Sequence, residues 1–377
     1  MDTRAFRVLP TSCPPKSTLT ITRPKHGRAW AEQSRAKHAS SHQHGTTGAP
    51  SSLAMARAHG AFLLQLLAAG LQVVALAATI TVTQTDDPRC RPSLPRRGAI
   101  AVYPSDMEQL QFLLNPKFVE AEWFLHAALG RGIDYLDRNL SAGGPAPVGP
   151  RKASLDFRTT EIAAELGYQE VGHIRAITQA NGGFPRPPID LSADRFAAIM
   201  DDALGARLDP PFDAYNGTVN FLLASYILPH VTAAAAVGIS PNLMGYASKR
   251  LHASVLAVEA GQDAVIRMLL YQRADETVAP YKGRTVAEFT RRISDWRNEL
   301  SGCGAKDEGV KVLDRHQGAE RRTISNILGA GVDSLGYQRT PAEALRILYG
   351  SRNEQVPGGF LPRGANGTIA RGFVQLA

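Results

Sequence analysis

Cysteine is scarce in this chain, and its scarcity excludes two common kinds of site. Only 3 cysteines occur among 377 residues, at positions 13, 90 and 303. No pair of them forms a Cys-x-x-Cys motif, so the usual zinc and dithiol redox motifs are absent. The sequence also lacks an internal repeat, a glycine-rich phosphate loop and a Gly-x-Ser-x-Gly elbow, and therefore gives no sign of nucleotide binding or serine-hydrolase chemistry.

Acidic residues are almost missing from the N-terminal part. Residues 1–77 hold 9 of the 42 Lys and Arg but only 2 of the 34 Asp and Glu. The remaining residues hold 33 basic and 32 acidic residues, so residues 1–77 carry +7 of the formal charge of +8. Because the rest of the chain is close to neutral, we expect no nucleic-acid partner.

Residues 55–77 have the layout of a secretory signal peptide. A short basic segment begins at Met55 and is followed by an apolar run from Phe62 to Ala78. Ala75-Leu-Ala77 is a suitable cleavage motif. We therefore predict a secreted protein of the cell wall or apoplast, with the vacuole as an alternative destination.

Residues 1–54 are rich in Ser, Thr, Pro, Arg and His and show no hydrophobic period. We interpret them as a non-native or disordered leader that precedes the true start. An organelle transit peptide and a membrane anchor are the alternatives. The apolar run contains Gln65 and Gln72 and is shorter than the ~20 apolar residues of a membrane span, so we expect no stable span after signal removal.

The mature chain would keep two cysteines, Cys90 and Cys303. In a secreted protein this number predicts one disulfide, and two unpaired thiols are the alternative. Three sequons, at Asn139, Asn216 and Asn366, fit N-glycosylation on a secretory route.

Strand-like alternation is nearly absent, and helical periodicity dominates after an extended arm at 78–103. The pattern predicts an all-α fold: a four-helix bundle over 104–280, with accessory short helices and coil in a C-terminal extension at 281–377 packed on the bundle. The four long helices are expected at about 105–138, 156–180, 216–237 and 241–275. Shorter helices are expected after Ser192, at about 285–300 and at about 341–349.

Glu170 and His173 are the strongest signal for a site. They lie three residues apart on one helical face that also carries Leu166 and Ile177. Buried polar groups need partners, and a Glu-x-x-His pair facing a core is typical of carboxylate-bridged dimetal bundles. Such a bundle also takes one Glu from each of two helices and a second Glu-x-x-His.

The other helices supply this set only in part. The first offers Glu120 and Glu122, both on apolar faces, and we favour Glu120. The fourth offers Glu259, but Gln262 stands where a second histidine is expected. Lys117, one turn before Glu120, lies close enough to neutralise a carboxylate in place of a metal.

The third helix has no acidic residue between Thr218 and Val258. Tyr226 and His230 share a face with its apolar residues and could stand beside the carboxylates where the missing ligand belongs. The alternative is that both are core residues with hydrogen-bond partners of their own.

Two interpretations of the set stay open. Glu120, Glu170, His173 and Glu259 could bind iron or manganese in a reduced metal site. Alternatively, the same residues form a metal-free polar network with Lys117 and Gln262, without a cofactor.

Several segments also carry a family resemblance. The chain resembles the plant desiccation-related proteins, which are secreted members of the ferritin-like superfamily, over roughly residues 104–373. The segments include Glu120-Ala-Glu-Trp-Phe-Leu125, Gly167-Tyr-Gln-Glu-Val-Gly-His173, Gly183-Phe-Pro-Arg-Pro187, Leu208-Asp-Pro-Pro-Phe-Asp213, Val258-Glu-Ala-Gly-Gln-Asp263 and Cys303-Gly-Ala-Lys-Asp-Glu-Gly309. The resemblance implies a ferritin-like domain, a signal peptide and a link to dehydration or stress. It also implies an acidic residue in the family where Lys117 stands here.

Three functions follow as hypotheses. The first is a secreted protective or structural protein of stress responses with a degenerate core site. The second is a metal-dependent redox enzyme of the ferroxidase or manganese-catalase kind. The third is a binding module for a small apolar ligand or a cell-wall component, using the bundle interior. The sequence does not fix an oligomeric state.

Overall fold

The structure is a computed structural model that describes residues 106–375. The predicted leader, signal peptide and arm at 1–54, 55–77 and 78–103 lie outside the described residues. Within 106–375 the secondary structure is helical, with a few isolated β-bridges and no strand. The α-helices are α1 Asp106–Phe112, α2 Leu114–Leu129, α3 Ile133–Leu136, α4 Phe157–Asn181, α5 Ala193–Leu204, α6 Thr218–Ser225, α7 Pro229–Ile239, α8 Tyr246–Tyr271, α9 Val286–Ser301, α10 Pro341–Tyr349 and α11 Thr368–Val374.

Four helical segments form the bundle and confirm the predicted all-α fold. Helix α2 packs on α4 and α7, and α8 packs on α4, α6 and α7, so that the segments close a ring. The inward faces form one hydrophobic core that includes Leu125, Leu166, Ile177 and Ile266. Polar side chains that point inward from these helices therefore meet in a space closed to bulk solvent.

The first long helix ends earlier than the periodicity predicts. Helix α2 stops at Leu129 because Gly130 adopts a left-handed conformation, with φ of 74°, and its N–H caps the carbonyl of His126. The chain continues as the short helix α3 and a 3-10 turn at Arg138–Ser141. The sequence predicts a longer helix because the apolar spacing continues beyond this glycine.

The third long helix is broken in two. Helix α6 ends at Ser225 and α7 begins at Pro229, whose ring cannot continue a regular helix from the preceding turn. The stretch Thr218–Asn242 is long and apolar enough to cross a membrane, but 83% of its most apolar window is buried inside the fold. That burial is typical of a core helix in a bundle.

The C-terminal extension packs on the bundle. Helix α9 contacts α5, α6 and α8, and α10 contacts α7 and α9. Thr340 and Glu343 form a reciprocal capping box that fixes the start of α10. Helix α11, which packs on α1 and α10, was expected to be coil.

Gly167 allows the close approach of α4 to α2. A Cβ atom at this position would lie 2.8 Å from Leu125 Cγ and 3.1 Å from its backbone nitrogen. Gly172, on the same helix, faces open space, with nothing within 4 Å of such an atom.

The two glycines should therefore respond in opposite ways to alanine. We expect Gly167→Ala to lower the free energy of unfolding by about 1–3 kcal/mol, because the helices must move apart. Gly172→Ala should raise it by about 0.5–1 kcal/mol, because alanine restricts the unfolded chain. Denaturant unfolding measures both, and equal effects at the two positions would contradict the packing described.

Candidate site in the bundle core

The centre of the bundle holds a buried ammonium group surrounded by three carboxyl groups. Lys117 Nζ lies 3.1 Å from Glu170 Oε2 and 3.7 Å from Glu120 Oε2, and it is in direct contact with Glu259 Oε2. All four side chains are fully buried. Helices α2, α4 and α8 thus meet at one cation that is part of the chain.

His173 joins this cluster from one side. Its Nδ1 lies 3.1 Å from Glu170 Oε1, and its side chain is 12% exposed. Ligand atoms of Glu170, His173 and Glu259 all lie within 4.8 Å of one another. Three donors at this spacing form a group that is compatible with iron or manganese.

The third helix contributes a hydroxyl group where a carboxylate is expected. Thr232 Oγ1 donates a hydrogen bond to Glu120 Oε1 at 2.7 Å. On the fourth helix, Gln262 Nε2 donates to Gln169 Oε1 at 3.0 Å, which ties α8 to α4 at the edge of the cluster. Sequence reasoning missed Thr232, since threonines are frequent in helices and nothing in the pattern distinguishes this one.

Apart from Lys117, several carboxylate oxygens of the cluster have no hydrogen-bond donor among the described residues. They are Glu120 Oε2, Glu170 Oε2 and both oxygens of Glu259, all of them buried, and each carboxyl group lies beside Lys117. Buried carboxylates in this condition are stabilised chiefly by a nearby positive charge. The cluster therefore depends on a cation at its centre.

The protonation of the cluster is uneven. Burial, reinforced by Glu170 and opposed by Lys117, raises the pKa of Glu120 from its ordinary value of 4.5 to about 8. Burial also acts to raise the pKa of Glu170, but Lys117 and the hydrogen bond with His173 outweigh it and hold this pKa below 4.5. At neutral pH Glu120 therefore keeps its proton, while Glu170 is ionised.

Glu122 belongs to a different cluster. It contacts Arg186 directly, and its Oε2 lies 3.3 Å from His126 Nε2. Arg186 also forms an ion pair of 2.7 Å with Asp134. Of the two acidic residues that the sequence offered on the first helix, the structure thus places Glu120, and not Glu122, in the bundle centre.

Tyr226 and His230 do not stand beside the carboxylates, and each has hydrogen-bond partners of its own in the core. Tyr226 accepts a hydrogen bond from Arg267 at 2.9 Å. His230 lies 3.3 Å from Asp263 Oδ2 and 3.7 Å from Asp307 Oδ1. The C-terminal extension supplies Asp307 and draws both side chains to its own side of α7, as the alternative of satisfied core residues required.

Asp307 is the centre of this second network. Burial acts to raise the pKa of its carboxyl group, but Arg297, His230 and Arg267 outweigh burial and lower the pKa to about 2. Arg267 Nη2 also donates to the backbone carbonyls of Glu308 and Asn326. Buried arginines thus hold the extension against the bundle.

The predicted covalent sites differ in their surroundings, and Cys303 is buried. Cys303 is disulfide-bonded, and Cys90 lies outside the described residues, so their pairing stays a prediction. Asn139 and Asn216 are exposed. Asn366 is partly buried, and its Nδ2 donates to the carbonyl of Pro185 at 2.7 Å.

Comparisons with known proteins agree with the helical bundle. Residues 105–272 match the protein family described as the ferritin-like domain. The chain is 50% identical over 287 residues to the ferritin-like catalase Nec2 of Nesocodon mauritianus, covering 76% of this chain and 91% of that protein. It is 46% identical over 263 residues to the desiccation-related protein PCC13-62 of Craterostigma plantagineum, covering 70% and 83%. No solved structure gives a match.

The raised pKa of Glu120 predicts how stability depends on pH. Between about pH 4.5 and about pH 8 the folded state binds a proton that the unfolded state has lost. The stability from neutral Glu120 is therefore complete below about 4.5 and is lost as the pH rises through about 8. Glu120→Gln is neutral at every pH and should remove this loss, so its melting temperature should gain several degrees on wild type from about pH 5 to about pH 9.

Glu165→Gln, a change of an exposed residue on α4, is the matched control and should follow wild type at each pH. Differential scanning calorimetry measures the three proteins. A Glu120→Gln curve parallel to that of wild type would show that Glu120 is ionised in the folded state at neutral pH.

Proposed function

Because this chain belongs to the plant desiccation-related proteins of the ferritin-like superfamily, we propose that it is a secreted protein of dehydration and stress responses with a protective or structural role. In this proposal its bundle core is closed by Lys117 and works without a metal. The relative from Craterostigma plantagineum, named as desiccation-related, supports the stress role.

The position of Lys117 carries the proposal. Its ammonium group contacts Glu170 and Glu259 and lies 3.7 Å from Glu120, which is where a cation shared by these carboxylates would stand. A buried ammonium and a metal ion at that place would repel each other strongly in a low-dielectric core. The lysine therefore fills the role of the cation.

The donor set does not fit a dimetal centre. Three carboxyl groups and one imidazole converge, and a neutral Thr232 and Gln262 stand where a further carboxylate and imidazole are needed. Protonation of Glu120 reduces the anionic charge again. One ammonium group and the hydrogen bonds described are enough to stabilise the reduced negative charge of this network.

Metal-dependent redox chemistry is the second candidate, and a specific observation favours it. Glu170, His173 and Glu259 would hold a single iron or manganese ion if Lys117 turned away, since their ligand atoms lie within 4.8 Å of one another. The relative named as a ferritin-like catalase is 50% identical to this chain. A bound ion of this kind would supply one-electron redox chemistry.

Secretion rests on the signal-peptide pattern, since the segment lies outside the described residues. The exposed sequons at Asn139 and Asn216 and the disulfide at Cys303 support an oxidising, glycosylating route.

The metal content separates the two candidates. We expect wild type purified from a secretory host grown with iron and manganese to hold less than ~0.1 ion per chain, because Lys117 fills the site. The Lys117→Ala variant should bind about one ion per chain, because the substitution leaves the carboxylates without a cation. Elemental analysis by mass spectrometry measures both.

Lys152→Ala removes an exposed lysine and should leave the metal content of wild type unchanged. About one ion per wild-type chain, lost in Glu170→Gln, would overturn the metal-free core. Dismutation of hydrogen peroxide by that sample, and not by Glu170→Gln, would establish the second candidate.

The mature protein should begin near Ala78. N-terminal sequencing of the form secreted by plant cells tests this, because cleavage after Ala77 follows the small-residue rule. A mature chain that starts before Met55 would contradict the signal peptide and the proposed route.

A further inference from the structure

A cavity in the C-terminal extension has the size of a small-molecule site. Its volume is about 430 Å³, and a neighbouring cavity of about 200 Å³ shares four of its wall residues. Binding sites for small molecules occupy roughly 300–1,000 Å³. At the ~30 Å³ of a water molecule, the larger cavity has the volume of roughly 14 water molecules.

Two elements build the walls. One is the start of α9, which presents Ala287 and Arg291 on one face after the capping residue Thr285. The other is a pair of extended segments, in which the N–H of Val312 donates to the carbonyl of Ile324 at 2.9 Å. Both elements are fixed by backbone hydrogen bonds, so the cavity is formed before a ligand arrives.

The floor and rim of the cavity are apolar. Ala287 and Val312 form the inner part, while Leu313 and Ile324 stand at the opening, 80% and 46% exposed. Exposed aliphatic side chains around a cavity bring hydrocarbon surface into contact with water, which is unfavourable. An apolar ligand body in the cavity would remove that contact.

Two basic groups stand where the two cavities meet. Arg291 and Lys311 line both, and each has one acidic neighbour at 3.0 Å, Asp295 and Asp275 respectively. These aspartates are 58% and 87% exposed, so both pairs are solvated and weak, and an anionic group can replace them as partner.

The other acidic side chains in the walls have partners of their own. Glu288 of the larger cavity pairs with Arg284 at 3.3 Å. In the smaller cavity, Asp307 contacts Arg297, and Glu308 accepts a hydrogen bond from Asn326 at 3.4 Å.

We propose that this cavity binds a small amphipathic anion, with its hydrocarbon body against Ala287, Val312, Leu313 and Ile324 and its carboxylate or sulfonate head at Arg291 and Lys311. The site lies in the extension and does not use the bundle interior, which one of the three hypotheses from the sequence names as a ligand site. It is independent of Lys117 and of the metal content of the core.

Two probes test the proposal on the full mature chain. The fluorescent sulfonate 1-anilinonaphthalene-8-sulfonate should bind saturably at about one site per chain. Dodecanoate should displace it at concentrations ~10-fold lower than dodecanol, which has the same chain length but no charge, because only the carboxylate reaches Arg291 and Lys311.

A matched pair of surface variants tests whether the probe binds in this cavity. Leu313→Asp should weaken binding of the fluorescent probe by ~10-fold or more, since it puts a charge against the hydrocarbon body. Leu328→Asp is the matched control, because Leu328 is similarly exposed, at 70%, but lies outside the cavity walls. Its affinity for the fluorescent probe should stay within ~2-fold of wild type. Arg291→Gln should reduce the preference for dodecanoate over dodecanol.

Three results would overturn the proposal. They are equal probe binding by wild type and Leu313→Asp, equal loss in Leu313→Asp and Leu328→Asp, and equal displacement by dodecanoate and dodecanol. Circular dichroism melts show whether each variant keeps the fold, and both leucines are exposed enough to be replaced without disturbing the core.

Discussion

The buried charge of Lys117 is the interaction on which the bundle core depends. Three helices bring carboxyl groups to a place closed to bulk solvent, and this arrangement is stable only beside a positive charge. In a ferritin-like bundle that charge is commonly supplied by metal ions. Here the charge belongs to Lys117, a side chain of α2, so the core can form as soon as α2, α4 and α8 pack together.

The remaining structure reinforces this closed core. Thr232 and Gln262 are neutral where a dimetal centre needs further ligands, and both are engaged in hydrogen bonds to the cluster or its edge. On the other side of α7, Asp307 gathers buried arginines and holds the C-terminal extension to the bundle. The two networks share no residue, which separates the bundle centre from the cavity in the extension.

The sequence was sufficient for the helical fold and for the acidic half of the cluster. Apolar periodicity located the four long helices, and the spacing of Glu170 and His173 placed them correctly on the inner face. It could not locate Tyr226 and His230, because their partners, the carbonyl of Glu308 and the carboxylate of Asp307, are distant in the chain and come from a loop. Nor could it reveal Thr232, whose role depends on the helix break at Pro229 and on the position of Glu120.

The central claim is that an ammonium group, and not a metal ion, occupies the bundle centre. Crystals of the mature protein grown with excess manganese, and measured at the manganese absorption edge, test it most directly. The account predicts electron density for Lys117 Nζ among Glu120, Glu170 and Glu259, with no anomalous peak there. An anomalous peak between Glu170, His173 and Glu259, with Lys117 turned away, would contradict it.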